Sequence, residues 1–141
     1  MAIVNATPDS FYAASRTQSH RAIAERVEQV LKEGAAIVDI GGYSSRPDAD
    51  DVSLEEEWSR VDMALSATQE VAKSVAISVD TFRSEIVRRA YDKYGEVVVN
   101  DITGGLGDAD MLRCCNSKIS NGFCRCIKKN FIRWNRCAVP K

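Results

Sequence analysis

Four short apolar runs, each ending in a cluster of polar residues, glycine or proline, are the feature that most constrains the fold. The apolar runs cover residues 1–4, 36–40, 75–79 and 97–99, and the clusters that follow them cover residues 5–11, 41–47, 80–81 and 100–105. Continuous apolar strands are typical of a parallel sheet, because helices cover both of its faces. Polar residues at the carboxyl ends of such strands form the sites of α/β enzymes. The sequence therefore predicts an α/β enzyme with its site at one edge of the sheet.

Amphipathic segments between these runs predict the connecting helices. Apolar residues at spacings of three and four predict a first helix, with Ser19 as its N-cap and Gly34 as its stop. Ser53 and Glu56 have the form of a capping box, which begins a second helix that continues to about residue 73. The three consecutive glutamates around Glu56 place negative charge near the positive end of the helix dipole, which is favourable, and we expect them to be solvated.

A third helix is predicted over residues 83–94, which completes the order β-α-β-α-β-α-β. Connections of about 20 to 30 residues favour parallel strands joined by right-handed crossovers. Two architectures fit this order: a doubly wound open sheet, or part of an eight-stranded barrel. The hydrophobic period does not separate them.

Charge and cysteine content divide the chain at residue 112. Residues 1–112 hold 11 Lys/Arg and all 20 Asp/Glu, whereas residues 113–141 hold eight Lys/Arg, no acidic residue and all five cysteines. Three interpretations of the tail are weak. A zinc site would need a short paired ligand spacing that the tail lacks, and a disulfide framework would need an oxidising compartment. Binding of nucleic acid would be supported by the positive charge alone. We therefore predict an incomplete domain over 1–112 and an unrelated or disordered tail over 113–141, as an out-of-frame or junction sequence would produce.

The residue types at the strand ends predict a polar, partly anionic ligand. Asp80 and Asn100 end consecutive strands, and together a carboxylate and an amide can bind a flat heterocycle with alternating ring nitrogens. Gly41 and Gly42 do not open directly into a helix, which disfavours a dinucleotide fingerprint. Arg46 carries a planar charge suited to a carboxylate or phosphate, although a structural salt bridge explains it equally well.

These motifs, taken together, resemble dihydropteroate synthase. The similarity is carried by Asn-Ala-Thr-Pro-Asp-Ser-Phe at 5–11, Asp-Ile-Gly-Gly-Tyr-Ser-Ser-Arg-Pro at 39–47, Ser-Val-Asp-Thr at 78–81 and Val-Asn-Asp-Ile-Thr-Gly-Gly at 99–105. The resemblance implies part of a (β/α)8 barrel, about four βα units long. It also implies a transferase of folate biosynthesis, a target of sulfonamides, that condenses dihydropterin pyrophosphate with 4-aminobenzoate and uses Mg²⁺.

The same resemblance implies roles for individual residues. Asp80 and Asn100 would be the catalytic pair that holds the pterin ring, and Asn5 would bind the diphosphate and its Mg²⁺. Ser45, Arg46 and Pro47 would lie on the aminobenzoate side. The full set of residues expected to bind substrate is Asn5, Asp9, Phe11, Ser45, Arg46, Pro47, Asp80, Asn100 and Asp101.

The sequence departs from the family pattern at three places. Tyr43 and Ser45 stand where the family commonly has glutamate and threonine, so an acid is missing from the second loop. Residues 12–14 are Tyr-Ala-Ala, where many members have an aspartate and two glycines. No later-strand Asp, Lys, Arg or His of the family is recognisable in 113–141.

A half-barrel leaves an open strand edge and an uncovered inner face, so we expect low stability and weak or absent synthase activity. The alternatives are a non-catalytic fragment that binds pterin or associates with itself, and a folate-dependent methyltransferase. No run approaches the roughly 18 apolar residues of a membrane span, so we expect a cytoplasmic protein. The expected partners are the small-molecule substrates, with no nucleic acid or membrane, and full-length members of the family are expected to be homodimers.

Overall fold

The computed structural model describes residues 1–7, 16–44, 51–118 and 124–125. The strands and helices alternate along the chain in the predicted order, giving four βα units and a further strand. Their bounds are β1 (Ala2–Asn5), α1 (Arg16–Lys32), β2 (Ile37–Gly41), α2 (Leu54–Val71), β3 (Ala76–Asp80), α3 (Ser84–Tyr94), β4 (Val98–Asn100), α4 (Met111–Lys118) and β5 (Cys124–Arg125).

The strands lie in the sheet in the same order as in the chain, β1-β2-β3-β4-β5. β1 pairs in parallel with β2, and Val99 of β4 lies opposite Cys124 of the parallel strand β5. A doubly wound sheet reverses its strand order at a switch point, whereas the wall of a barrel does not. The structure therefore confirms the prediction of about four βα units and favours the barrel fragment over the open sheet.

The helix ends follow largely from local sequence. Ser53 is the N-cap of α2, and its Oγ accepts a hydrogen bond from the backbone N–H of Glu56 over 3.2 Å, as the capping box predicts. Gly34, with φ of 94°, ends α1, where the N–H of Ala35 donates to the carbonyl of Val30. The prediction of Ser19 as the N-cap of α1 is wrong, because the helix begins at Arg16 and Ser19 is buried within it.

The chain forms two compact units, Met1–Ser78 and Val79–Lys141, and the division between them falls within β3. In the first unit, apolar side chains of β1 and β2 are buried together with side chains of α1 and α2. These core residues, all at most 1 % exposed, are Val4, Ile23, Val27, Val30, Val38, Ile40, Val61, Ala64 and Leu65. Glu57 is fully buried, which corrects the expectation that its acidic triplet is solvated.

The core of the second unit continues past the predicted domain boundary at residue 112. Val87, Val99, Met111, Cys114 and Cys115 form one buried cluster. The boundary falls inside α4, and the small, weakly polar cysteine thiols serve as apolar core groups. The fold therefore includes residues 113–118 and the short strand β5, while residues 126–141 lie outside the described part of the chain.

Among the residues that the structure describes, no helix has the length and apolar character needed to cross a bilayer.

Candidate functional site

The second unit places Asp80 and Asn100 side by side at the carboxyl ends of β3 and β4. The backbone N–H of Thr81 donates to the carbonyl of Asn100 over 3.1 Å, so the two strand ends are direct neighbours. Val79 and Val99 are fully buried, whereas Asp80 and Asn100 are half-buried. Because successive side chains of a strand point to opposite faces, Asp80 and Asn100 lie on one face, opposite the buried valines. A carboxylate and an amide thus share one edge of the sheet.

Asp101, the next residue, is fully buried, and its own loop uses its carboxylate. Oδ1 accepts from the N–H and the hydroxyl of Thr103, and Oδ2 accepts from the N–H of Gly105, each over 2.8 Å. The Thr103 hydroxyl accepts in turn from the N–H of Gly107. Gly104 and Gly105 have φ of 66° and 81°, which residues with a side chain rarely adopt. Asp101 therefore shapes the loop after β4, and its predicted contact with substrate stays a prediction.

Asp108 connects this loop to the start of α3. Its Oδ2 accepts from the backbone N–H of Ser84 over 2.7 Å, and its Oδ1 accepts from the N–H of Asp110 over 2.9 Å. Partial burial raises the pKa of Asp108, but these hydrogen bonds and the positive charge of Arg88 outweigh it, so the pKa lies below its usual value. The Asp108 carboxylate is thus held in its charged form between two loops.

In the first unit, Asn5 lies at the end of β1, opposite Gly41 of β2. The N–H of Ala6 donates to the carbonyl of Gly41 over 2.8 Å, which continues the parallel pairing beyond the strand end. Asn5 is exposed. Its side chain is therefore accessible at the edge of the sheet where the sequence predicts the diphosphate.

The turn after β2 packs directly against the first turns of α2. A Cβ on Gly42 would lie 2.9 Å from the Glu57 carbonyl oxygen and 2.9 Å from Val61 Cγ2, so only glycine fits. Arg60 Nη1 donates to the Gly42 carbonyl over 3.2 Å, and its Nη2 pairs with Glu56. Because the Arg60 side chain is only 11 % exposed, this contact is well shielded from water. The capped helix thus fixes the backbone at the mouth of β2.

Tyr43, one of the departures from the family pattern, has a hydrogen bond of its own. Its hydroxyl donates to Asp51 Oδ1 over 3.3 Å. The two residues flank the predicted aminobenzoate loop on either side. A tyrosine in place of the usual acid thus connects the two ends of this loop.

The structure describes four of the nine predicted site residues. Asp80, Asn100 and Asp101 lie together in the second unit, and Asn5 lies in the first. The five that lie outside the described residues are Asp9, Phe11, Ser45, Arg46 and Pro47.

The sequence did not predict the structural roles of Arg60 and Asp108. Arg60 stands four residues after Glu56, a spacing that predicts an ion pair on the helix surface but not the bond to the Gly42 carbonyl. Asp108 precedes α4 closely, as acidic capping residues often do, yet its bond to Ser84 spans 24 residues.

Within the described part of the chain, no group of three or more His, Cys, Asp or Glu side chains is placed to hold a metal ion. Mg²⁺ keeps several waters and is often held by one or two protein oxygens together with substrate phosphates, and the exposed residue Asn5 carries an amide oxygen of the type that such a site uses.

Comparison with known proteins gives a consistent result. The sequence model of the family described as "Pterin binding enzyme" matches residues 1–125. A dihydropteroate synthase from Neisseria meningitidis serogroup C is 42% identical over 126 residues, which are 88% of this chain and 43% of that protein. The chain therefore spans less than half the length of this relative.

Solved structures extend the similarity to the fold. Dihydropteroate synthase from Clostridium difficile, crystallised in the presence of pteroic acid, matches with a TM-score of 0.75 and 30% identity, over 82% of this chain and 43% of that one. The enzyme from Anaplasma phagocytophilum with bound 6-hydroxymethylpterin-monophosphate matches with a TM-score of 0.70 and 30% identity, over 81% and 43%.

Proposed function

Because the chain belongs to the family of pterin-binding enzymes, we propose that it is a transferase of the dihydropteroate synthase type. In this proposal the substrates are 7,8-dihydropterin pyrophosphate and 4-aminobenzoate, and the products are dihydropteroate and pyrophosphate. The observation that carries the proposal is the placement of Asp80 and Asn100 on adjacent strand ends, joined by the 3.1 Å bond from the Thr81 N–H to the Asn100 carbonyl.

Asp80 and Asn100 would bind the pterin ring along its edge. The pterin edge alternates hydrogen-bond donors and acceptors. A carboxylate can accept from the ring N–H and the exocyclic amino group, and an amide can both donate and accept. Both residues are half-buried, so water competes less for these bonds than it does at an exposed surface.

Asn5 would orient the diphosphate, which is the leaving group. Mg²⁺ bound beside it would supply positive charge to the departing oxygen. The pairing of β1 with β2 fixes the backbone of Asn5, so its amide needs little reorganisation to reach the diphosphate. By the resemblance, Arg46 would bind the carboxylate of 4-aminobenzoate with its planar guanidinium, together with Ser45 and Pro47.

A second candidate function is a non-catalytic fragment that binds pterin or associates with itself. Ile3 is 59 % exposed and, two residues before Asn5, lies on the same face of β1. An exposed apolar side chain at this place gains free energy if it packs against a second polypeptide. In agreement with this candidate, we expect turnover by this chain alone to be weak.

Calorimetric titration with 6-hydroxymethylpterin monophosphate, with and without Mg²⁺, tests the binding step. We expect the Asp80→Ala chain to bind about 10- to 100-fold more weakly than the unchanged chain, because a charged hydrogen-bond acceptor is lost. Asp92→Asn, an exposed change on α3, is the matched control and should bind normally. Equal affinity of the Asp80→Ala and control chains would contradict the proposed pterin site.

A turnover assay and sedimentation velocity then separate the two candidates. Slow formation of dihydropteroate would support the transferase. Binding without turnover, together with self-association that Ile3→Thr abolishes, would support the non-catalytic fragment.

A further inference from the structure

We propose that Asp108 is a positioning residue for the pterin site, and that it holds the loops that follow Asp80 and Asn100 in one fixed arrangement. This inference rests on the proposed function. Asp108 lies in the loop after β4, eight residues beyond Asn100, and it was not among the residues that the sequence motifs marked.

The α3 helix depends on Asp108 for its N-terminal cap. The N-cap residue, Arg83, makes no side-chain capping hydrogen bond. Asp108 Oδ2 instead accepts from the N–H of Ser84 over 2.7 Å, and a carboxylate there also complements the positive end of the helix dipole. The other oxygen accepts from the N–H of Asp110, which orients the carboxylate. With each oxygen already bound to an amide, Asp108 acts through the backbone rather than on a ligand.

Two hydrogen bonds therefore join the loop after β3 to the loop after β4. The first bond runs from Thr81 to Asn100 at the strand ends. The second runs from Ser84, four residues beyond Asp80, to Asp108. β3 and β4 are neighbouring strands of the sheet, and this pairing sets the distance between Asp80 and Asn100. The bond from Ser84 to Asp108 extends the link beyond the strand ends, so the loop backbones around Asp80 and Asn100 keep one relative arrangement.

The loop after β4 is stiff enough to transmit this restraint. Asp101 binds Thr103 and Gly105, and the Thr103 hydroxyl accepts from Gly107, which directly precedes Asp108. Gly107 lies close against Thr103, because a Cβ on Gly107 would lie 3.0 Å from the Thr103 side chain. A chain of short contacts thus runs from the end of β4 to the Asp108 carboxylate.

Asp110 provides a matched control on the same loop. Its side chain is 62 % exposed and lies 3.7 Å from Arg113, whose side chain is 87 % exposed. Asp110→Ala removes the same charge and the same number of atoms as Asp108→Ala. It leaves in place the backbone N–H of residue 110, which donates a hydrogen bond to Asp108.

The experiment measures pterin affinity and amide hydrogen exchange in the full chain. We expect Asp108→Ala to bind 6-hydroxymethylpterin monophosphate on the order of tenfold more weakly, because small misplacements of binding groups are costly. The Thr81 amide, which donates to Asn100, should exchange on the order of tenfold faster in the same variant. The Gly95 amide at the far end of α3, which donates to the Tyr91 carbonyl, should exchange at an unchanged rate.

Asp110→Ala should leave the affinity and the exchange rates unchanged. If Asp108→Ala does not fold, Asp108→Asn replaces it, because the amide keeps one acceptor oxygen and the same shape. We expect Asp108→Asn to show the same effects at reduced size.

The inference is overturned if the Thr81 amide exchanges equally fast in the Asp108 and Asp110 variants, or if the unchanged chain binds the pterin probe and both variants bind it with equal affinity. Failure of the proposed function gives a different pattern. In that case the unchanged chain does not bind the pterin probe, while Thr81 exchange still separates the two variants and supports the coupling between the loops.

Discussion

The substitution Asp101→Asn gives the sharpest test of how the loop after β4 is built. The carboxylate accepts three hydrogen bonds of 2.8 Å and is fully buried. An asparagine can keep its oxygen toward Thr103 and so preserve two of these bonds. Its NH2 group must then face the N–H of Gly105, which places two donors against each other.

The cost follows from these contacts. One hydrogen bond to a charged group is lost, at about 1.5–3 kcal/mol, and the Gly105 N–H is left without this acceptor in a part-buried position. Allowing for relaxation of the loop, we expect the free energy of unfolding to fall by about 2–4 kcal/mol. Asp51→Asn is the control, because Asp51 is exposed and accepts one 3.3 Å bond that an amide oxygen can also accept. This change should cost less than about 0.5 kcal/mol.

Urea denaturation followed by circular dichroism measures both values. We expect the Asp101→Asn chain to unfold at a clearly lower urea concentration than the Asp51→Asn chain, with a similar slope of the unfolding free energy against urea concentration. If Asp101→Asn is as stable as Asp51→Asn, the Asp101 carboxylate does not organise its loop, and its role would have to be sought in ligand binding.

Three further predictions concern the mouths of β2 and β4. Gly42→Ala should lower the free energy of unfolding by about 1–3 kcal/mol in urea denaturation, because the new Cβ meets the backbone of Glu57; no loss would mean that the turn shifts freely. Arg60→Met should cost about 1–2 kcal/mol in the same assay, since the shielded Gly42 carbonyl loses its donor, and unchanged stability would contradict this role. Asp108 has a folded pKa below its ordinary 3.8, so its contribution is present above that pH and is lost as the pH falls through the folded pKa. Asp108→Asn should therefore flatten the acid side of the stability profile measured by thermal unfolding, and an equally steep profile would refute it.

The sequence predicted best where local rules decide the structure. Ser53 caps α2 through Glu56, and Gly34 ends α1 with a positive φ, because both signals act within a few residues. Ser19 misled the prediction because serine also occurs inside helices, and nothing local separates the two cases.

Features that depend on distant partners could not be predicted in this way. Glu57 lies in a run of three acidic residues, a pattern typical of a solvent-exposed helix turn. It is nevertheless buried, because the turn at Gly42 packs closely against α2. Composition placed a boundary at residue 112, but packing against Val99 turns Cys114 and Cys115 into core residues. Strand order, which separates a barrel wall from an open sheet, likewise depends on contacts between residues far apart in the chain.

The acidic residues after β3 and β4 show why motif position alone does not assign a role. Asp80 is the last residue of β3, Asp101 and Asp108 follow the end of β4, and position alone would allow any of the three to bind a ligand. The donors bound to Asp101 and Asp108, and the place of Asp80 in the sheet, distinguish them. Asp101 accepts from backbone N–H groups of its own loop, and Asp108 accepts from the backbone N–H groups of Asp110 and of Ser84 at the start of α3, so both carboxylates hold backbone in place. Asp80 lies beside Asn100 on the opposite face from the buried valines, and this is the face on which we propose that the pterin ring binds. Removing a carboxylate of the first kind should therefore lower stability or rigidity before affinity, and removing Asp80 should lower affinity first.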